Sequence, residues 1–425
     1  MRLLAKEETP SDWISKKIGF YVLGHKGGAA LRPNDFSNTG FPVIPKKAIQ
    51  PTGELLIENP TYCTNEFASN NKRSIVDSSY AITTLRDLVP TGPTIGTVVN
   101  FSNEEKYILS QGVYGLKLND ALDKHYLSYL SNTAFYRKVM QRIMVGSTQV
   151  HIRTPEYLDL EIQIPPLPEQ KKIAKILSTW DKAISTTERL IDNSTQQKKA
   201  LMQQLLTGKK RLLDESGKRF EGEWAEIELG DICSRVMEKN NGQSTNVVTI
   251  SAQQGLIRQE EFFKKSVASK ILDNYFIISK GQFAYNKSYS NGYPMGAIKR
   301  LNRYENAVVT TLYICFEITD HSKTDTDFLE QYFDSGLLNR GLTKVAAEGG
   351  RAHGLLNVKP SDFMALKFKF PTYPEQQKIA TVLTNADREI ELLKQQLADL
   401  QQEKKALMQQ LLTGKKRVVV DGEVA

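Results

Sequence analysis

The fourteen residues KKALMQQLLTGKKR occur twice, letter for letter, at Lys198–Arg211 and at Lys404–Arg417. A stretch repeated at a spacing of 206 residues constrains the fold more than any bulk property, because it says the chain contains a duplication. The likeness extends beyond the fourteen residues. Ile164–Arg211 aligns with Phe370–Arg417 without a gap, and 25 of those 48 positions are identical. Pro165 matches Pro371, the triplet Pro168-Glu169-Gln170 matches Pro374-Glu375-Gln376, and Asp181 matches Asp387. Just upstream, Leu160, Ile162 and Ile164 alternate as Leu366, Phe368 and Phe370 do, which predicts a strand leading into each copy.

The copied segment carries a heptad seam. In the second copy, apolar residues fall at Ile379, Leu383, Ala386, Ile390, Leu393, Leu397 and Leu400, then at Leu407 and Leu411, with Lys404 interrupting. Alternating steps of four and three are those of a coiled coil. The first copy keeps the register with Ile173, Leu177, Trp180, Ile184, Ile191, Leu201 and Leu205, weakened by Thr187, Ser194 and Lys198 at core positions. The proline of each PEQ suits a first helical turn, and its glutamate complements the helix dipole. Gly208 and Gly414 stand where a left-handed cap is expected. Each copy therefore predicts one helix of about 40 residues, on the order of 60 Å long. Such a helix leaves an apolar stripe that needs a partner. The two copies are expected to pair antiparallel within the chain; pairing of each with another protein is the alternative.

Globular stretches precede both helices. TGPTIGTVVN (Thr91–Asn100) aligns with NGYPMGAIKR (Asn291–Arg300), keeping Gly92/Gly292 and Gly96/Gly296, while Trp13 and Trp224 open the two stretches at comparable places. Short glycine-punctuated strands with a few helices read as α+β. The expected division is 1–163 and 218–369 as globular domains, with 164–217 and 370–425 as helical regions. The fold class is α+β, two such domains joined by two long helices in a pseudo-twofold antiparallel coiled coil. Three scattered cysteines, Cys63, Cys233 and Cys315, read as buried side chains of a reducing compartment rather than a disulfide framework. With no long apolar run and an N-terminus that turns acidic early, the expectation is a cytoplasmic chain without a membrane partner. A net charge of +8 is compatible with nucleic acid without demanding it.

Motifs for chemistry do not assemble. ENPTY, with Asn59-Pro60-Thr61-Tyr62, lacks the second proline of an adenine-methylation tetrad and reads as a turn. Gly208-Lys209 lacks the first glycine of a phosphate loop. Asp399 with Glu403, Lys404 and Lys405 reads as a solvated helix face rather than a nuclease site. His25, His125, His151, His321 and His353 show no metal-ligand spacing. No catalytic residue and no metal site is expected.

Two globular stretches, each followed by a helix that begins P-x-x-P-E-Q and ends L-T-G-K-K-R, resemble the specificity subunit of a type I DNA restriction–modification enzyme over nearly the whole chain. GSTQVHI (Gly146–Ile152) also resembles a family pattern; GGRAHGLLNV (Gly349–Val358) departs from it, which weakens the transfer of that loop's role. The resemblance implies a non-catalytic chain whose two domains each read one half of a split, asymmetric target in double-stranded DNA, with the helices setting the gap. It further implies docking of two methyltransferase subunits and two motor–nuclease subunits. The complex, not this chain, would use S-adenosylmethionine, ATP and Mg. A self-contained methyltransferase or endonuclease and a homodimeric coiled-coil repressor are the rival readings.

Candidate DNA contacts follow from loops that combine cations, amides and hydroxyls. In the first domain these are His25, Lys26 and Arg32 of GHKGGAALR, Lys72 and Arg73, and Ser147, Thr148 and Gln149. In the second they are Lys287, Ser288, Tyr289, Asn291 and Tyr293 of NKSYSNGYPMG, and Arg351 and His353 of EGGRAHG.

Overall fold

A computed structural model describes residues 10–102, 104–263, 272–290, 292–346 and 356–420. Asn291, Arg351 and His353 lie outside the described residues. The chain divides into two units, residues 1–187 with 396–425, and residues 188–395. Each holds one globular domain, the first part of the helix that follows it, and the last part of the other helix.

In the first unit the alternating run becomes strand Glu161–Ile164, which pairs antiparallel with Ile14–Lys17 so that Ile164 faces Ile14. The domain thus closes on itself just before its helix starts. Its second sheet runs in the order Val22–Gly27, Val113–Leu118, Tyr80–Thr84, Val98–Val99. A further five-stranded sheet is built from Phe36–Ser37, Thr61–Cys63, Phe41–Ile44, Tyr107–Leu109 and Ile75–Val76. Helix Lys124–Ser131 is capped by Asp123, whose carboxylate accepts the amides of His125 and Tyr126. One core gathers Tyr126, Tyr136, Tyr157, Ile162 and Ile164 with Ile173 and Leu177 of the first long helix and with Leu411 and Leu412 at the end of the second. Burying a large apolar side chain stabilises by about 1.5–3 kcal/mol, so the helices are part of this core, not an appendage.

The second unit repeats the scheme. Lys367–Phe370 pairs with Ala225–Glu228, and a sheet runs in the order Cys233–Arg235, Ile314–Ile318, Phe283–Asn286, Ala297–Arg300. Helix Thr326–Asp334 is capped by Asp325. The five-stranded sheet has no counterpart among the described residues; two hairpin-like pairs stand there instead, Val248–Ser251 with Gly255–Arg258 and Phe276–Ser279 with Asn306–Val309. The core is aromatic: Phe283 stacks on Phe316 with centroids 5.4 Å apart, and Phe328 and Phe363 join them. Ile379 and Leu383 of the second long helix and Leu205 and Leu206 at the end of the first complete it.

The shared glycines are required by backbone shape. Gly92 and Gly292 have φ of 57° and 81°, and Gly96 and Gly296 have 72° and 79°. A Cβ on Gly96 would lie 2.3 Å from the Met140 sulfur, and one on Gly296 would lie 2.2 Å from the Asn286 carbonyl oxygen. Only glycine fits those turns. In the first unit Arg137 ties the turn down, donating to the carbonyls of Gly92, Pro93 and Ile95 and to the Thr97 hydroxyl.

The long helices span Leu167–Leu205 and Tyr373–Leu411, 39 residues each. All sixteen seam residues named from the sequence are buried or partly buried, while Leu190 and Leu392 are exposed. In the first unit Glu169 meets Arg417 and Asp181 meets Lys404, so the strand of contacts climbs one helix as it descends the other. In the second unit Glu375 meets Arg211 and Asp387 meets Lys198 in the same way. Both pairings are antiparallel.

Candidate nucleic-acid interface

The PEQ triplets prove to be the fastening of each domain to its helices. Gln170 donates to the carbonyls of Ala121 (3.0 Å) and Pro165 (2.9 Å) and accepts the Asp123 amide (2.9 Å). Gln376 donates to Lys323 (3.1 Å) and Pro371 (2.9 Å) and accepts the Asp325 amide (2.8 Å). Glu169 and Glu375 are buried and receive the guanidinium of Arg417 and Arg211 respectively. The arginines of the two LTGKKR ends therefore do more than cap a helix. Asp12 adds a second carboxylate to Arg417, whereas the Trp224 indole donates to Glu375 at 3.0 Å. Gly208 and Gly414, with φ of 70° and 75°, turn the chain against Trp224 and Trp13.

Above this fastening the surfaces differ. In the first domain, strand Val22–Gly27 lies at a sheet edge and carries His25 exposed. Lys26 is half-buried, its amine donating to the Ile75 carbonyl and lying 5.1 Å from the Tyr80 ring centre. The short turn Lys72–Ser74 packs on this strand, with Ser74 donating to the Gly27 carbonyl at 2.8 Å. Lys26, Lys72 and Arg73 thus come together, with Lys72 and Arg73 exposed, while exposed His25, paired opposite Leu116, lies on the other face of the strand. Arg32 is exposed at the start of the turn Pro33–Asp35, its amide donating to Asp35.

Ser147, Thr148 and Gln149 form the exposed tip of a hairpin closed by reciprocal bonds between Val145 and His151, both 2.9 Å. Gly146, with φ of 120°, allows the tip; a Cβ there would sit 2.0 Å from the Gln149 carbonyl oxygen. Strand Val150–His151 pairs with Arg86–Asp87, which places exposed Arg86 opposite His151. Arg86 was not singled out from the sequence, since only strand pairing brings it beside the tip. Asp87 anchors this place. Burial opposes its charge, but bonds from Thr94, Lys46 and Val89 prevail and hold the carboxyl below its ordinary range.

In the second domain, Lys287 and Ser288 leave strand Phe283–Asn286 half-buried, and Tyr289 is 63% exposed. Ser290 and Tyr293 close a tight turn over Gly292. The Tyr293 hydroxyl accepts from Lys299 at 3.2 Å, and Lys299 also reaches Asp334 at 2.6 Å. Burial disfavours the Lys299 charge, yet those two partners outweigh it and raise its pKa. Tyr293 is therefore held from within the domain. Cys63, Cys233 and Cys315 are buried thiols; burial pushes the latter two up to about 12. No helix among the described residues is long and apolar enough to cross a membrane.

Two domains that share a four-stranded sheet order, fastened alike and faced differently, define a duplicated recognition scaffold. Residues 10–193 and 221–402 each match the type I restriction modification DNA specificity domain, and the chain belongs to that family. The type I restriction enzyme MjaVIII specificity subunit of Methanocaldococcus jannaschii is 26% identical over 208 residues, 48% of this chain and 48% of that one. The chain thus spans about half the length of that relative. The putative type I restriction enzyme MjaX specificity subunit of the same organism is 25% identical over 347 residues, 76% of each chain. Among solved structures, the type I restriction-modification S subunit from M. genitalium covers 96% of this chain and 98% of its own at a TM-score of 0.54 and 14% identity. The HsdS subunit from Thermoanaerobacter tengcongensis gives the same coverage, 96% and 98%, at a TM-score of 0.50 and 16% identity. At such identities the likeness concerns the fold.

Proposed function

We propose that this chain is the DNA-recognition subunit of a type I restriction–modification complex, each domain reading one half of a bipartite, asymmetric target and the helix pair setting the gap. The carrying observation is one fastening, Gln-Glu-Arg, beneath two domains whose exposed loops differ. A shared fastening under unlike loops is what a reader of two different half-sites needs. The exposed His25, Lys72, Arg73 and Arg86 and the tip Ser147–Gln149 are the base- and phosphate-contacting candidates of the first domain; Lys287, Ser288 and Tyr289 are those of the second. Arginine suits guanine, glutamine suits adenine, and lysine tracks phosphate. The chain itself performs no transfer or cleavage in this reading. Methyltransferase subunits dock on the helices and motor–nuclease subunits join them, using S-adenosylmethionine, ATP and Mg.

Replacing residues 218–369 by another recognition domain of the family tests the reading. Methylation mapping should show one half-site changed, with the other half-site and the gap retained. Loss or alteration of both half-sites together would sink it.

A further inference from the structure

The two domains put different chemistry at one equivalent position. Val99 lies opposite Ile82 and Lys299 opposite Ala284 in matching strand pairs, so Asn100 and Arg300 are counterparts. The caps Asp123 and Asp325, each bonded to a PEQ glutamine, make His125 the counterpart of Asp327 and Ser128 that of Glu330. In the second domain Arg300 stands 2.7 Å from Asp327 and 2.6 Å from Glu330, and Asn302 holds the other Glu330 oxygen at 2.9 Å. A guanidinium fills the place.

In the first domain the same place is an open recess of about 510 Å³. Asn100 gives its amide hydrogen to the Lys124 carbonyl and leaves Oδ1 buried without a partner among the described residues. Ser128 spends its proton on the Val98 carbonyl, so its oxygen is left as an acceptor. Glu54 and Asp181 contribute carboxylates; Asp181 already holds Tyr129 and Lys404, while Glu54 accepts only the Thr52 hydroxyl at 3.1 Å on Oε2 and is paired with no cation among the described residues. Leu55, Leu56 and Phe101 make an apolar wall.

We infer that this recess binds the guanidinium of an arginine presented by a partner protein, in the place that Arg300 fills from within the second domain. Acceptor oxygens in excess of the donors around them call for a donor-only group, and the planar fork of arginine is one. Its methylene stem suits the apolar wall, while the Glu54 carboxylate disfavours DNA phosphate. The occupant is assigned to the methyltransferase subunit because Asp181 belongs to the long helix on which that subunit is proposed to dock; this clause rests on the specificity-subunit reading.

The full chain, carrying histidine labelled with carbon-13 at Cε1, reads the site directly, the His125 signal being assigned with His125→Gln. N-acetyl-arginine methylamide should shift that signal saturably and bind about tenfold tighter than its neutral citrulline counterpart, since a charge-assisted bond is at stake. Glu54→Gln, at an exposed position, should weaken the arginine probe several-fold. The transplant Asn100→Arg/His125→Asp/Ser128→Glu should fill the recess and lower affinity for the methyltransferase subunit about tenfold, with the remaining histidine signals reporting an intact fold. Equal binding of citrulline, or no shift at all, overturns the site. An unchanged methyltransferase affinity in the transplant overturns the assigned partner. A parent chain that binds no methyltransferase subunit would instead overturn the specificity-subunit reading, and the His125 titration would still decide the recess.

Discussion

Arg417 and Arg211 occupy equivalent positions yet are not equally buried, being 43% and 18% exposed, and their glutamates have different reserves. Removing Arg211 leaves Glu375 with the Trp224 indole; removing Arg417 leaves Glu169 buried, while the Trp13 indole has no partner among the described residues. Stripping the partner from a buried carboxylate costs about 3 kcal/mol. Arg417→Ala should therefore destabilise more than Arg211→Ala by about 1 kcal/mol, read as a difference in urea midpoints. Asp87 supplies a pH dependence. Its carboxyl is held below the ordinary 3.8, so its contribution is fully present above that value and fades as pH falls through the lowered pKa. Stability measured from pH 6 downwards should decline less steeply in Asp87→Asn than in the parent chain. These partnerships mark the limit of sequence reading at this scale. The cations of LTGKKR and the glutamate of PEQ were visible as helix-end charges, but their acceptors lie 164 and 248 residues away and nothing local names them.

Lys198 and Lys404 put charges into the seam, and each is answered by the aspartate that the duplication keeps in step with it. The heptad spacing made both helices legible, down to their glycine caps, because side-chain periodicity is local. It could not show that the interruptions are satisfied, since that depends on the antiparallel register. Slipping one helix by a heptad would keep the apolar contacts and separate Lys404 from Asp181, so the polar pair selects the register more than it stabilises it. Lys404→Ala should cost only about 1 kcal/mol, because Asp181 keeps the Tyr129 hydroxyl and the pair is partly exposed. Tyr129→Phe/Asp181→Leu/Lys404→Leu should be as stable as the parent in urea, or more so. Its helix amides should nevertheless exchange with a wider spread of rates, as alternative registers become populated. A uniform exchange pattern in that variant would remove the register role.

Two domains of α+β type, each with a strand leading into its helix, were legible from alternation and from the paired glycines, because those follow from backbone geometry. The strands Ile14–Lys17 and Ala225–Glu228 that close each domain against that strand were not. Nor were the proposed reading surfaces, since Arg86 reaches the hairpin tip only through strand pairing and Tyr293 is occupied by Lys299 from within. For the proposed ruler, the decisive change lies in helix length and not in the loops. The boundary between the two units crosses the helices at Thr187 and at Gln395, so insertions there leave each unit's own fastening untouched. Seven residues add about 10 Å of helix and nearly restore the seam's phase, because a heptad is close to two turns. DNA advances 3.4 Å per base pair along each strand, so a heptad added to both helices should lengthen the methylated target's gap by about three base pairs. The half-sites should stay as they are, because no loop is altered. A heptad in one helix alone should abolish modification, since the polar pairs can no longer both be met. Long-read methylation mapping distinguishes these outcomes, and an unchanged gap in the doubly extended chain would remove the ruler.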